Sequence, residues 1–228
     1  MNEYFSGFTK ESLKFFSDLE KNNSKSWFEK YRHIYNNEIL IPAKAFVNEM
    51  GERLESIAPG ITADARTDKS IFRIHRDIRF SKDKVPYKTH LGIWLWEGKN
   101  KKLENPGFYF QFDKESMYIG VGMYRFSKDN LKSYRNAVVD SVKGKKLIKA
   151  INRIHSLNPS YILGWKHYKK IPKGYDKYHP ITEYLLYGGL GFQFRSQIPG
   201  EFYSDELLDY TYKIFNDMSP IHYWLREM

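Results

Sequence analysis

The residues of this chain best placed to do chemistry lie in one stretch, Ile71 to Thr89, IFRIHRDIRFSKDKVPYKT. It sets Arg73, Arg76, Arg79, Lys82, Lys84 and Lys88 against two acids, Asp77 and Asp83, with the hydroxyls of Ser81 and Tyr87 between them. Guanidinium forks take carboxylate or phosphate through paired hydrogen bonds, and an ammonium adds a point charge. The pattern suits a preorganised site for an anionic ligand, with Asp77 holding one arginine and Asp83 orienting a lysine. The alternative is a solvated face whose arginines bind the chain's own acids, which is what exposed basic runs most often do.

A second chemistry sits in the same residues. Side chains alternate faces along a strand, so a strand over Phe72–Phe80 puts Phe72, Ile74, Ile78 and Phe80 on one face, with Arg76 breaking the row. Arg73, His75, Asp77 and Arg79 take the other face. His75 and Asp77 then form a candidate acid–base pair beside guanidiniums, as an enzyme acting on an anionic substrate would need. No nucleophile elbow accompanies them.

Elsewhere the signals are weaker. Gly120-Val-Gly122 lacks the third glycine of a phosphate loop and lies in an alternating run, where packing of a neighbouring ring is the expected reason for glycine. Gly120, Gly122 and Tyr124 share a strand face that Tyr109 and Gln111 would join. Lys166–Tyr178, KHYKKIPKGYDKY, mixes lysines that neutralise phosphates with rings that stack on bases. The seven histidines never pair at ligand spacing, so no metal is expected. No cofactor motif is present.

The segment RIHRDIRFSKDKVPYKT resembles the signature of an uncharacterised, largely bacterial family, the domain of unknown function 2461. The opening FSGFTKESLKFFSDLEKNNSKSWFEKYRHIY is similar to that family's start. So are Pro106-Gly-Phe-Tyr109, Gly120-Val-Gly-Met-Tyr124 followed by Arg135, and Lys173-Gly174-Tyr175 with His179-Pro180. The resemblance covers nearly the whole chain. It implies a single compact domain of about this length, spanning 1–228, and no particular activity.

The elements that must position these residues follow from periodicity. Thr9 caps a helix over 10–21 bearing Leu13, Phe16 and Leu19, and Asn22-Asn23-Ser24 ends it and caps the next, which carries Trp27 and Phe28. Pro42 opens a third, closed by Pro59-Gly60. The period then changes to two: the central strand, His90–Trp96, Phe108–Phe112 and Met117–Tyr124 predict an antiparallel meander over about 71–124. Ser127 caps a fourth helix and a fifth runs over 145–157. His179-Pro180 opens a short helix ending at Gly188-Gly189. A further strand covers 190–195. Ser204 caps a penultimate helix, and Pro220 starts a final turn. The expected fold is α+β, an antiparallel sheet of four to five strands covered by helices from the N- and C-terminal thirds.

Composition sets bounds. Of 228 residues, 41% are hydrophobic and 17% aromatic, enough for a core and too many for disorder. A formal charge of +10 accords with nucleic acid, nucleotides or acidic partners. The chain has no cysteine, which removes disulfides, thiolate metal sites and a cysteine nucleophile. No signal peptide or membrane span is visible, so the expected location is cytoplasmic, with no membrane partner. The leading expectation is a binding protein for a phosphate-bearing or other anionic ligand, a nucleotide-like molecule or a single-stranded nucleic acid. Arg73, Arg76, Arg79, Ser81, Lys82, Lys84, Tyr87 and Lys88 would hold it, and Trp27, Tyr109, Tyr124 and Arg135 would wall it. The alternatives are the enzyme using His75 and Asp77, and a structural or interaction module with no ligand.

Overall fold

The computed structural model describes residues 4–164, 166–176, 178 and 180–228. The expected start of a short helix at His179 falls outside the described residues. Helices α1 (Lys10–Lys21), α2 (Lys25–Ile34) and α3 (Ile41–Leu54) come first. Strands β1 (Ile61–Thr62), β2 (Leu91–Glu97), β3 (Gly107–Phe112) and β4 (Ser116–Met123) follow, then α4 (Lys128–Val139), α5 (Lys143–Leu157) and β5 (Ile162–Leu163). A 3-10 turn over Pro180–Leu186, β6 (Leu190–Gln197), a second such turn over Gly200–Tyr203 and α6 (Glu206–Arg226) complete the chain. The fold is α+β, with one antiparallel sheet in the order β1-β2-β3-β4-β6-β5. The expected strands over 90–124 form the meander β2–β3–β4. With β6 as the fourth, the other two strands are the two-residue edge pieces β1 and β5, too short to leave a periodic signal.

Two compact units share the chain. The first is Met1–Leu95, Tyr109–Ile119 and Arg195–Lys213, and the second is Trp96–Phe108, Gly120–Phe194 and Ile214–Met228. In the first, Phe110 and Phe112 of β3 point inward to Phe46 of α3 (ring centroids 4.7 Å apart) and to Phe8 (4.6 Å). Phe202 closes the cluster, 4.9 Å from Phe112. In the second, Phe108 meets Phe215 of α6 at 5.2 Å.

Local capping works as the sequence suggests. The hydroxyls of Thr9, Ser24 and Ser127 accept from the N–H groups of Ser12, Trp27 and Asn130, each satisfying one orphan donor at a helix start. Two helix breaks do not occur. Pro42 falls in the first turn of α3 as expected, but no break precedes it, because a π-helical segment over Tyr35–Leu40 carries α2 directly into α3. A proline removes one backbone donor, and the wider i→i+5 pattern just before it absorbs the shift in bonding. Pro220 likewise lies inside α6 instead of starting a final turn. Its missing N–H leaves the Asn216 carbonyl without its helical donor, and the Ser219 hydroxyl donates to that carbonyl at 2.8 Å.

The largest departure is the central stretch: Phe72–Phe80 is not a regular strand. Phe72 N–H donates to the Gly92 carbonyl and Trp94 N–H to that of Ser70, so the segment begins as a neighbour of β2. It then changes partner. Arg76 N–H donates to Pro86 and Lys88 N–H to Ile74, with His75 opposite Tyr87. The chain has left the sheet and folded on its own return arm, where Pro86 has no donor to extend the ladder. Burial follows the switch: Ile71 and Ile74 are buried, whereas Phe80, expected on the apolar face, is 94% exposed.

Candidate functional site

The hairpin over 74–88 is fastened to the first helices by one side chain. Asn23 Nδ2 donates to the Tyr87 carbonyl at 2.9 Å, and its Oδ1 accepts from Tyr87 N–H at 3.0 Å. The buried Tyr87 ring stacks on Phe28 of α2, with centroids 4.3 Å apart and planes 19° from parallel. Asn23 therefore serves as more than a helix terminator. Nothing local in the sequence marks this, since its partner lies 64 residues away.

Most of the expected arginine row is committed inside the hairpin. Asp77 accepts from Arg79 Nε at 2.9 Å and from Nη2 at 2.7 Å, and this pairing pulls its carboxyl down to about 2. Asp83 accepts from Val85 N–H and from Arg76 Nη1 at 2.6 Å, so it holds an arginine where a lysine was expected. Lys84 donates to the Ile78 carbonyl at 2.9 Å. Asp77 makes no hydrogen bond to His75 among the described residues. The His75 imidazole lies against the Tyr87 ring at 5.0 Å instead. Ser81 uses its N–H within the turn, donating to Ile78, and Lys82 is exposed.

Two cations behave differently. The ammonium of half-buried Lys88 lies 5.4 Å from the centroid of the Phe72 ring. Burial lowers its pKa, and the neighbouring guanidinium of Arg73 lowers it further. Among the described residues the carboxylate nearest Arg73 is that of Asp68, at 4.0 Å, a distance with Coulomb attraction and no hydrogen bond, and the charge of Arg73 also acts on Asp77. Asp68 sits in a turn with φ +68°, a left-handed conformation that Asp tolerates better than most residues. Next in sequence after Thr89, His90 is held largely neutral by burial and then by the charge of Lys88.

These cations border an aromatic patch. Phe72 packs on Tyr109 at 6.3 Å, and Tyr109 reaches Tyr118 at 5.7 Å and donates to Gln111 Oε1 at 2.6 Å. Gly92 makes the approach possible, since a Cβ there would sit 2.9 Å from the Tyr109 hydroxyl and 3.2 Å from Phe72. At Gly122, where a ring was expected, the close neighbour is backbone: a Cβ would lie 2.3 Å from both Gly191 Cα and the Leu190 carbonyl.

Among the remaining candidates, Tyr109 joins Phe72. Trp27 lines a different feature, a shallow depression of about 590 Å³ with Lys21, Asn22, Asn23, Ser24, Ser26 and Lys30. Tyr124 and Arg135 belong to the second unit. There Tyr124 is 73% exposed, and the Arg135 guanidinium covers the Tyr168 ring at 4.9 Å.

With that geometry in hand, comparison places the chain. A family model described as "Conserved hypothetical protein (DUF2461)" matches residues 11–224. The chain belongs to this family. No curated protein matches it. The stretches resembling DUF2461 are largely tied to one another here: Asn23 and Phe28 of the opening grip Tyr87 of the basic stretch, and Tyr109 packs on Phe72. No helix among the described residues is long and apolar enough to cross a membrane.

Proposed function

We propose that this protein binds a small phosphate-bearing or similarly anionic ligand between Arg73 and Lys88, with the apolar part of the ligand against Phe72 and Tyr109. One observation carries the reading. Two like charges stand together where burial already disfavours the ammonium, and Asp68, whose charge acts on both, only partly offsets this and is too far from Arg73 to bond. Such an arrangement is unfavourable without an anion and favourable with one. The other cations of the stretch differ in that Arg76 and Arg79 already have carboxylates of their own.

Calorimetric titration with inorganic phosphate and a nucleoside monophosphate tests this. A hydrogen bond to a charged group contributes roughly 1.5–3 kcal/mol, so Lys88→Met and Arg73→Met should each weaken binding about 10- to 100-fold. Lys82→Met should leave it nearly unchanged. Without ligand, Lys88→Met should unfold at the same temperature as the parent or slightly higher, since it relieves a repulsion. Equal affinities for Lys88→Met and the parent would rule the site out.

A further inference from the structure

The tip of the hairpin, residues 77–85, is shaped by polar bonds alone. Beside the two arginine–carboxylate pairs, Arg79 N–H donates to Asp77, Val85 N–H to Asp83, Ser81 N–H to Ile78, and Arg76 Nη1 also to the Val85 carbonyl at 3.2 Å. At its summit stands Phe80, the most exposed large apolar side chain among the described residues at 94%. The Arg79 guanidinium lies 5.8 Å from the centroid of that ring. A loop held rigid around a ring that it does not bury has its ordering entropy already spent, which favours contact with something outside the molecule. Lys82 and Lys84, both exposed, follow within four residues of the ring, on a chain whose formal charge is +10.

We infer that this tip docks single-stranded nucleic acid, a base stacking on Phe80 while Lys82 and Lys84 meet the flanking phosphates. The observations favour this over a bilayer. Of the tip's apolar side chains only Phe80 is nearly fully exposed, with Val85 at 37%, and the Phe80 ring already has a guanidinium beside it. A base needs one flat apolar surface with cations nearby, as found here. The inference does not rest on the Arg73–Lys88 site.

The test is fluorescence anisotropy of labelled oligothymidylate and oligouridylate at low salt, with anionic vesicles run in parallel. The parent should bind at least one oligonucleotide saturably. Phe80→Ala should lose at least fivefold in affinity, the low end expected for one base stack, and Phe80→Trp should retain it. Lys82→Ala should lower the salt slope of the logarithm of affinity by about 0.7, the value for one phosphate on a single strand. Phosphate binding at Lys88 should be unchanged in Phe80→Ala, which separates the two sites. The inference is overturned if neither oligonucleotide binds, if Phe80→Ala binds as tightly as the parent, or if vesicles alone bind in a Phe80-dependent way.

Discussion

Replacing Glu97 with alanine is expected to destabilise the protein by about 1–3 kcal/mol, the usual consequence of leaving a buried donor, here the His222 ring, without its acceptor. Glu97 is 3% exposed at the end of β2. Its Oε2 is 2.7 Å from Nε2 of the fully buried His222, and its Oε1 accepts from Arg226. Among the described residues the Nδ1 of His222 has no hydrogen-bond partner, which fits a neutral ring donating through Nε2. Chemical denaturation of Glu97→Ala and Glu97→Gln measures the effect, and the amide should lose less because it keeps shape and an acceptor. A loss below about 1 kcal/mol for the alanine variant would mean the pair is not buried as described.

The same pair sets a pH dependence. Burial lowers the folded pKa of His222 below the ordinary 6.5, and the Glu97 hydrogen bond only partly opposes this. Below about pH 6.5 the unfolded chain therefore takes up a proton that the native state refuses. This contribution to stability is complete above that pH and declines as the pH falls. His222→Gln, which can still donate to Glu97, should remove this component of the acid sensitivity while other carboxylates continue to titrate.

The second large effect is expected at Asn23. Asn23→Ala removes both bonds to the Tyr87 backbone, and unpaired, partly buried backbone groups cost roughly 1–3 kcal/mol each, so the total should be about 2–6 kcal/mol. Asn23→Asp separates the two bonds: a carboxylate still accepts from Tyr87 N–H but cannot donate to the carbonyl. Denaturation together with amide exchange at Tyr87 and Lys88 reads both. If Asn23→Ala exchanges at these amides like the parent, the clamp does not hold the hairpin.

What the sequence reveals here depends on range. Thr9, Ser24 and Ser127 mark helix starts because a cap is a bond over three residues. Phe108, Phe110 and Phe112 mark a strand because one helix-covered face imposes a period of two. Phe72–Phe80 misleads because its alternation is real in the letters, yet the segment changes partner after Arg73, from β2 to its own return arm, and partner choice is non-local. Pro220 misleads because a single serine hydroxyl repairs the bond that proline breaks. At the site, the cations were legible as charge. Their division into arginines stapled by Asp77 and Asp83 and a pair left facing solvent required coordinates, as did Asn23, whose role is set by a residue 64 positions away.

The central claim turns on the charge state of one side chain, so it is tested by NMR titration of the Lys88 ammonium with and without phosphate. In the free protein its pKa should lie below the ordinary 10.5, because burial and Arg73 both disfavour the charged form. An anion bound between the two cations must raise it, and by linkage the rise equals the gain in affinity on protonation. A depressed pKa that climbs on phosphate addition in the parent, with a climb in Arg73→Met only at about 10- to 100-fold more phosphate, is the predicted result. A Lys88 pKa at its ordinary value, or one that phosphate leaves unmoved, contradicts the account.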